Sequence, residues 1–536
     1  MKSAFILLGL FLTFSSNCIG TSRPAVETFP DTTITKKNAF SDLFLDSAKL
    51  ADFIVREGVD SEVAQRLKNF YNSRNYQFAW FTKAGLAEYA RAFWNLQESH
   101  ITLSRDSFLI NPDLKKRMDK MVQEDTLATY SADEMAQTEL ALTLSFFKYV
   151  HYAYAGKIDP EGLSWHIPRK KVDETELLDS LITRKGQHLE TWEPINPQYN
   201  LMRTKLRELN ELDSAGGWEF IALASNKTLK AGDSSPIISQ LKRRFSASSD
   251  YQSGDTSGLY NNSFVDAVNK AKRQYGLNQD GIINAAFVQA LNVPLKERIR
   301  QVLINMERMR WLPQQPAGNY ILVNIPDFKL NLFEGPKKIF DIKIIVGKTA
   351  NKTIIFNGML KYVVFSPYWN VPPSIVKKEI LPSIRRNPNY LRANNMERTG
   401  YRDGLPEIRQ RPGGDNSLGR VKFLFPNNYN IYLHDTPAKS LFQETKRTFS
   451  HGCIRLAEPR KLAEYLLRNQ PEWTPDRITE AMHENHETWV ILKNPVPVAV
   501  TYFTSWVSRD GLLNFREDVY GHDRKMENLL FAADKL

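Results

Sequence analysis

The stretch Ile431–Leu456, IYLHDTPAKSLFQETKRTFSHGCIRL, holds a histidine at the end of a β-patterned run and a cysteine inside Ser450-His451-Gly452-Cys453. Ile431 and Leu433 alternate with Tyr432 and His434, so the run reads as a half-buried strand ending at His434. The same alternation puts Tyr432 on the face of His434. A loop then carries the chain to Cys453 and is long enough for its two ends to meet. A thiol at pH 7 is mostly protonated, so a nucleophilic cysteine needs a base or cation beside it and an open approach. Gly452 lets a substrate backbone come close to the sulfur. Cys plus His is the minimal pair for acyl transfer: attack by sulfur, then proton delivery to the leaving amine. Taken alone, a buried cysteine is usually inert and a strand-end histidine is usually satisfied by hydrogen bonds; the combination is what points to chemistry.

The texture around this stretch is β-rich. Tyr320–Ile325, Lys329–Phe333, Phe340–Val346, Lys361–Phe365 and Thr488–Leu492 are short runs bounded by Gly, Pro and Asn, and Val421, Phe423 and Phe425 alternate. A mostly β domain, with a few helices such as Pro459–Arg468, is expected over 318–536, after a linker helix at 296–317. The segment 372–412 differs, being rich in arginine and proline, and reads as an insertion. It is either a lid over a site or a surface excursion. Residues 229–295 read as a small unit of short helices. Ile237, Ile238, Leu241 and Phe245 form one apolar face, and Phe264, Ala267, Val268 and Ala271 another. Gly276 stands where a helix stops and Asp280-Gly281 is a turn signal. From 41 to 228 the apolar spacing is helical, as in Val63, Leu67, Phe70 and Tyr71. The fold class expected is α+β and multidomain.

The chain has 536 residues, too many for one core, with 42% apolar and 11% aromatic residues. Met1–Gly20 reads as a signal peptide: Lys2, the apolar run Ala4–Phe14, then small residues. The run is too short to span a bilayer, and the reading left beside cleavage is an uncleaved anchor. Lipidation at Cys18 is the weaker reading, since Asn17 precedes it poorly. Residues 21–40 read as a flexible leader. Only two cysteines are present, Cys18 and Cys453. Cleavage after Gly20 leaves Cys453 alone in an oxidising compartment, as an inert residue or a reactive thiol. The net charge of +11 is spread along the chain; solubility and attraction to an anionic envelope explain it better than nucleic acid. The nine histidines are scattered, and no metal-ligand cluster or cofactor site is visible.

The motif resembles the signature of the L,D-transpeptidase (YkuD-type) catalytic domain: a strand-end histidine, a loop, then S/T-H-G-C, an apolar residue and Arg. The match runs through His434 and Ser450-His451-Gly452-Cys453-Ile454-Arg455, with Asn416-Ser417-Leu418-Gly419-Arg420 upstream. Residues 229–295 resemble the peptidoglycan-binding domain type 1. Met306–Trp311, Pro367–Pro372, Leu433–Pro437 and the tail around Tyr502 to Asp523 resemble the larger YcbB-like members, which join a helical scaffold, a peptidoglycan-binding domain and a catalytic domain with an inserted lid. The resemblance implies a periplasmic or envelope enzyme without cofactor. Cys453 would attack the stem tetrapeptide donor at the third residue and D-Ala would leave. A neighbouring stem would then resolve the acyl-enzyme into a 3→3 cross-link. An L,D-carboxypeptidase using water at the same site is the alternative, and cell-wall synthases are the expected partners. His434 is the expected base. The backbone carbonyl of Asp435 is expected to orient the imidazole. The N–H groups near His451, Gly452 and Cys453 are the expected oxyanion donors, worth roughly 3–4 kcal/mol each. The His451 side chain is either a secondary base or structural. Tyr432, Trp369, Ser450, Arg455 and Asn416 are carried as substrate-site candidates, with a core role for Trp369 and a supporting role for Arg455 as the competing readings. The resemblance also implies acylation by carbapenems.

Overall fold

In the computed structural model the described residues are 28–531, less 40, 105–106, 124–129, 169–170, 189–192, 194, 248–250 and 314–317. The signal peptide and the start of the leader lie outside them. Among the described residues no helix is long and apolar enough to cross a membrane. The chain divides into two compact units, one made of 1–96, 109–148 and 173–188, the other of 97–108, 149–172 and 189–536.

The first unit is helical, as the apolar spacing predicts. Asp46, Asp60 and Asp173 cap its helices Ser47–Arg56, Ser61–Asn72 and Glu174–Thr183 by accepting from first-turn amides. The interruption at Asn75-Tyr76 is a turn with both residues at positive φ, 48° and 63°. It returns Trp80 beneath Phe93 and Phe146, with ring centroids 5.5 and 5.9 Å away. One buried carboxylate organises this core. Glu139 accepts from the amides of Ala79 (2.6 Å) and Trp80 (2.9 Å) and from the Tyr71 hydroxyl (3.0 Å).

The second unit holds the remaining elements. Helices Pro236–Ala247, Asn262–Gln274 and Ala285–Leu291 bury Ile238, Leu241, Phe245, Phe264, Val268 and Phe287 in a core of their own. Gly276 and Gly281 adopt φ of 69° and 64° at the two turns expected from sequence. The polar loop before Asn262 is not idle: Tyr251 joins the core, and Asp255 pairs at 2.6 Å with the wholly buried Lys242. Helix Leu295–Trp311 follows.

Beyond it lies the β domain. Its strands run, in hydrogen-bonded order, Val421–Leu424, Leu433–His434, Ile454–Leu456, Lys337–Gly347, Lys329–Glu334, Asn319–Asn324, Thr488–Thr501 and Ile355–Phe365. Val421–Leu424 also pairs with Ile355–Phe365, so the sheet closes on itself and those eight strands form a barrel. Inward residues such as Val323, Leu332, Ile344, Val363, Phe423, Leu433, Ile454 and Val498 fill it. The strand expected to stop at Leu492 continues to Thr501. A register shift between Ile491 and Val496 absorbs Pro495, which cannot donate to the ladder. The insertion adds strands Leu405–Gln410 and Met396–Arg402 to Trp369–Asn370, which precedes it, as a three-stranded sheet beside short helical turns. It has its own small core of Val371, Val376, Ile380 and Ile408.

Burial raises the Glu139 carboxyl to about 7, against three hydrogen bonds that favour its ionised form. A carboxyl whose folded pKa lies above its unfolded value binds more protons when folded, so its contribution is complete below the unfolded pKa and is lost as pH rises. Stability of the helical unit should therefore fall between about pH 4.5 and 7. Glu139→Ala should abolish that slope and lower stability by about 2–4 kcal/mol, because two buried amides lose their acceptor. Denaturant unfolding followed across that pH range checks both.

Candidate active site

The register of two parallel strands builds the site. Leu433 stands opposite Ile454 and His434 opposite Arg455, and the Ile454 amide donates to the Tyr432 carbonyl at 3.1 Å. Strand alternation then puts Tyr432, His434, Cys453 and Arg455 on one face of the sheet, while Leu433 and Ile454 enter the core. The structure thus brings together four of the candidates. The rings of Tyr432 and His434 meet edge-on at 5.7 Å. The amide and hydroxyl of Tyr432 both lie beside the Cys453 sulfur. Cys453 is partly buried, and Sγ donates weakly to the Asn430 carbonyl at 3.6 Å. Asn430 has φ 54°, which turns that carbonyl toward the sulfur.

The electrostatics hold the Cys453 thiol and the His434 imidazole neutral. Burial raises the Cys453 thiol above its usual range, while Tyr432 and the Arg455 charge pull the other way. Burial, reinforced by Arg455, lowers His434 to about 3. The carbonyls of Asp435 and Leu418 stand beside the imidazole and favour its protonated form, but Nδ1 has no hydrogen bond of ordinary geometry. No hydrogen bond joins sulfur to imidazole at rest; such contacts commonly tighten when substrate arrives. His434 is therefore a free base rather than half of a standing ion pair.

The loop 416–420 holds His434 from behind. Gly419 (φ 63°) has no room for a Cβ, which would fall 2.4 Å from the Asp435 carboxylate. That carboxylate accepts from the Arg420 amide (2.9 Å) and from Lys439 Nζ (2.5 Å). Its side chain thus anchors the loop, and only its carbonyl faces the imidazole. Asn416 is buried, and its amide is fully engaged: Nδ2 donates to the carbonyls of Pro367 and Arg411, while Oδ1 accepts from Leu418. It shapes the loop and offers nothing to a ligand. Trp369 packs on the core of the insertion, the second of its two expected roles.

Ser450 is also inward. Its Oγ donates to the Cys453 carbonyl (2.5 Å) and accepts from the Gly452 amide (3.1 Å). The Gly452 donor is therefore engaged, a correction to the expected oxyanion set. The amides of His451 and Cys453 have no partner among the described residues. The His451 side chain turns away from the thiol. Its Nε2 lies 2.9 Å from Glu379 Oε1, on the insertion. The Arg455 side chain has no hydrogen bond or ion pair among the described residues, and its Nε is buried. Sequence reading missed Asn430 and Glu379; the first carries a turn signal in Pro426-Asn427-Asn428, the second none.

Comparison with known families agrees with this architecture. Residues 318–492 match the L,D-transpeptidase catalytic domain, 234–291 the "Putative peptidoglycan binding domain", and 65–206 the scaffold domain. The chain therefore carries an L,D-transpeptidase catalytic domain and a peptidoglycan-binding domain. A "Putative L,D-transpeptidase" of Haemophilus influenzae is 29% identical over 242 residues, covering 42% of this chain. The chain spans about half the length of that relative, 49%. Among solved structures, an L,D-transpeptidase (Yku) from Stackebrandtia nassauensis is 13% identical, with TM-score 0.22, over 52% of this chain and 97% of its own. An L,D-transpeptidase from Mycobacterium smegmatis is 11% identical, with TM-score 0.19, over 34% and 58%.

The neutral pair makes a kinetic demand. With a raised thiol and an imidazole already neutral, thiolate accumulates only at high pH. Alkylation of Cys453 by iodoacetamide should climb steadily from pH 7 past pH 9, without an inflection near 6.5. A plateau reached below pH 8 would reveal a preformed thiolate instead.

Proposed function

We propose that this protein is a peptidoglycan L,D-transpeptidase acting through a cysteine acyl-enzyme, and that it forms 3→3 cross-links in the cell envelope. The observation carrying the reading is the shared face of Cys453 and His434, set by the register of their parallel strands. The matches to the catalytic and peptidoglycan-binding domains support the substrate class.

In the first step His434 takes the thiol proton as sulfur adds to the carbonyl of the third stem residue. The tetrahedral oxyanion collapses, the bond to D-Ala breaks, and the imidazolium returns the proton to the departing amine. A thioester on Cys453 remains. In the second step the side-chain amine of a neighbouring stem adds to the thioester. Its excess proton passes through His434 to the sulfur, which leaves as thiol. A base that is neutral at rest suits both steps, since each begins by accepting a proton. No oxidant, metal or cofactor enters this balance.

The insertion 372–412 acts as a lid over the donor site in this reading. The contact between Glu379 and His451, two residues from the nucleophile, supports it. Residues 229–295 hold the chain on the wall and an export signal delivers it there. Cell-wall synthases are partners of the pathway rather than of the site.

Purified protein incubated with a disaccharide tetrapeptide, with and without an acceptor stem, tests the reading by mass spectrometry. The 3→3 dimer is expected, and Cys453→Ala should lower its yield at least about a thousandfold while leaving unfolding unchanged. Dimer formed by that variant would overturn the assignment. Tripeptide alone, with acceptor present, would make the protein an L,D-carboxypeptidase. For the lid, Glu379→Gln should slow turnover on polymeric peptidoglycan about three- to tenfold and leave thiol alkylation within twofold, since it removes one charge-assisted contact. Equal loss in both assays would assign Glu379 to folding.

A further inference from the structure

Of the two open amides, His451 and Cys453, the second is the nucleophile's own, and it belongs to the Gly452–Cys453 peptide. A trans peptide is planar, with its C=O and N–H pointing in opposite directions. Whatever holds the Gly452 carbonyl therefore aims the Cys453 N–H. The Thr353 hydroxyl does so: Oγ1 donates to the Gly452 carbonyl at 2.8 Å. The direction of that bond is fixed. Oγ1 also receives the Gly347 amide at 2.9 Å, so its single proton is left for Gly452. Gly347 is held in turn, its carbonyl accepting from the Tyr520 hydroxyl at 2.6 Å, while the Thr353 amide donates to that same hydroxyl at 3.3 Å. A Cβ at Gly347 would collide with the Asn351 carbonyl at 2.0 Å, so the turn from 347 to 353 closes tightly enough to bring Thr353 beneath the nucleophile loop.

We infer that Thr353, steadied by Tyr520, is a positioning residue for the oxyanion donor of this enzyme: it fixes and polarises the Gly452–Cys453 peptide so that the Cys453 amide meets the developing oxyanion. The inference rests on the acyl-enzyme reading. Thr353 touches neither substrate nor sulfur. Hydrogen bonds in series reinforce one another, so a peptide whose carbonyl accepts a bond donates more strongly through its N–H. Preorganised donors matter most where charge appears only in the transition state. Tyr520 lies beyond the matched catalytic domain, which ends at 492, so residues outside that domain complete the site.

Two reactions of the same sulfur test this. Alkylation by iodoacetamide is displacement at a saturated carbon and develops no oxyanion. Acylation by imipenem forms a tetrahedral oxyanion as the strained amide opens. Thr353→Val keeps the branched shape and deletes the hydroxyl. It should lower the imipenem acylation rate about tenfold or more, a fraction of what complete loss of a donor costs, while alkylation stays within about twofold. Thr353→Ser should restore acylation to within about threefold of wild type. Should the valine variant lose its unfolding transition, Tyr520→Phe carries the same comparison with an expected drop of about threefold. Unchanged acylation in a folded valine variant overturns the inference, as does a parallel fall in both reactions, which would mean that the sulfur itself had moved. Wild-type protein that alkylates but is neither acylated by imipenem nor productive with the stem tetrapeptide refutes the acyl-enzyme reading, and the inference falls with it.

Discussion

One hydrogen bond, from the Ile454 amide to the Tyr432 carbonyl, fixes the register on which the site depends. Side chains in a strand alternate with period two, so a slip of one residue would send Cys453 into the core and Ile454 to the surface. The apolar members of the same run prevent that slip. Leu433 and Ile454 are both fully buried in the barrel, and each would have to leave it. Hydrophobic burial thus enforces the meeting of thiol and imidazole, although neither Leu433 nor Ile454 has any chemistry. Closure of the barrel through the double pairing of Val421–Leu424 removes the remaining freedom, since a closed sheet has no edge along which register can drift.

The same burial that places the pair also sets its charge state. Taking a thiol and an imidazole out of water disfavours thiolate and imidazolium alike. Arg455 works against burial at the sulfur and with it at the ring, so the cation keeps the base unprotonated without generating a standing thiolate. The arrangement is compatible with the proposed amide cleavage. A leaving amine needs a proton at the moment of collapse, and a base that has only just received one can deliver it.

Much of this was legible in sequence because the relevant signals are local. Alternation around His434, the glycine beside Cys453 and the turn residues at Gly276 and Gly281 each act within a few positions, and the structure places them as the pattern implies. The misreadings have a common cause. Asn416 and Ser450 belong to the motif, and proximity in sequence suggested contact with substrate. Each is instead occupied in holding a loop, which depends on partners such as Pro367 and Gly452. Trp369 takes the core role that the sequence left open beside a place in the donor site. Gly452 drops out of the expected oxyanion set because a backbone amide carries no mark in sequence showing whether a hydroxyl has already engaged it. The tail around Tyr502 to Asp523 carried the resemblance, but the role inferred for Thr353 and Tyr520 was invisible because it joins a turn and a tail separated by more than 160 residues, at 353 and 520.

That separation has a structural logic. The Tyr502 hydroxyl donates to Asp518 at 2.6 Å and accepts the Tyr520 amide at 2.8 Å, so the tail is folded back on itself before it reaches the nucleophile turn. Asp523 accepts from the Thr504 hydroxyl at 2.6 Å and pairs at 2.6 Å with Arg308, on the helix that precedes the barrel. Asn305, on the same helix, exchanges hydrogen bonds with Thr504 in both directions, at 2.7 and 2.9 Å. Asn305, Arg308, Tyr502, Thr504 and Tyr520 are buried and Asp518 and Asp523 half-buried, and leaving a buried polar group unpaired costs more than the bond itself gains. The series therefore tolerates few arrangements, and a precise position is handed from the helix to the tail and from the tail to Gly347. A barrel alone can fix which face the sulfur occupies. On the role inferred for Thr353, aiming one peptide N–H requires a rigid support behind the turn, and the polar series from Asn305 to Tyr520 provides it.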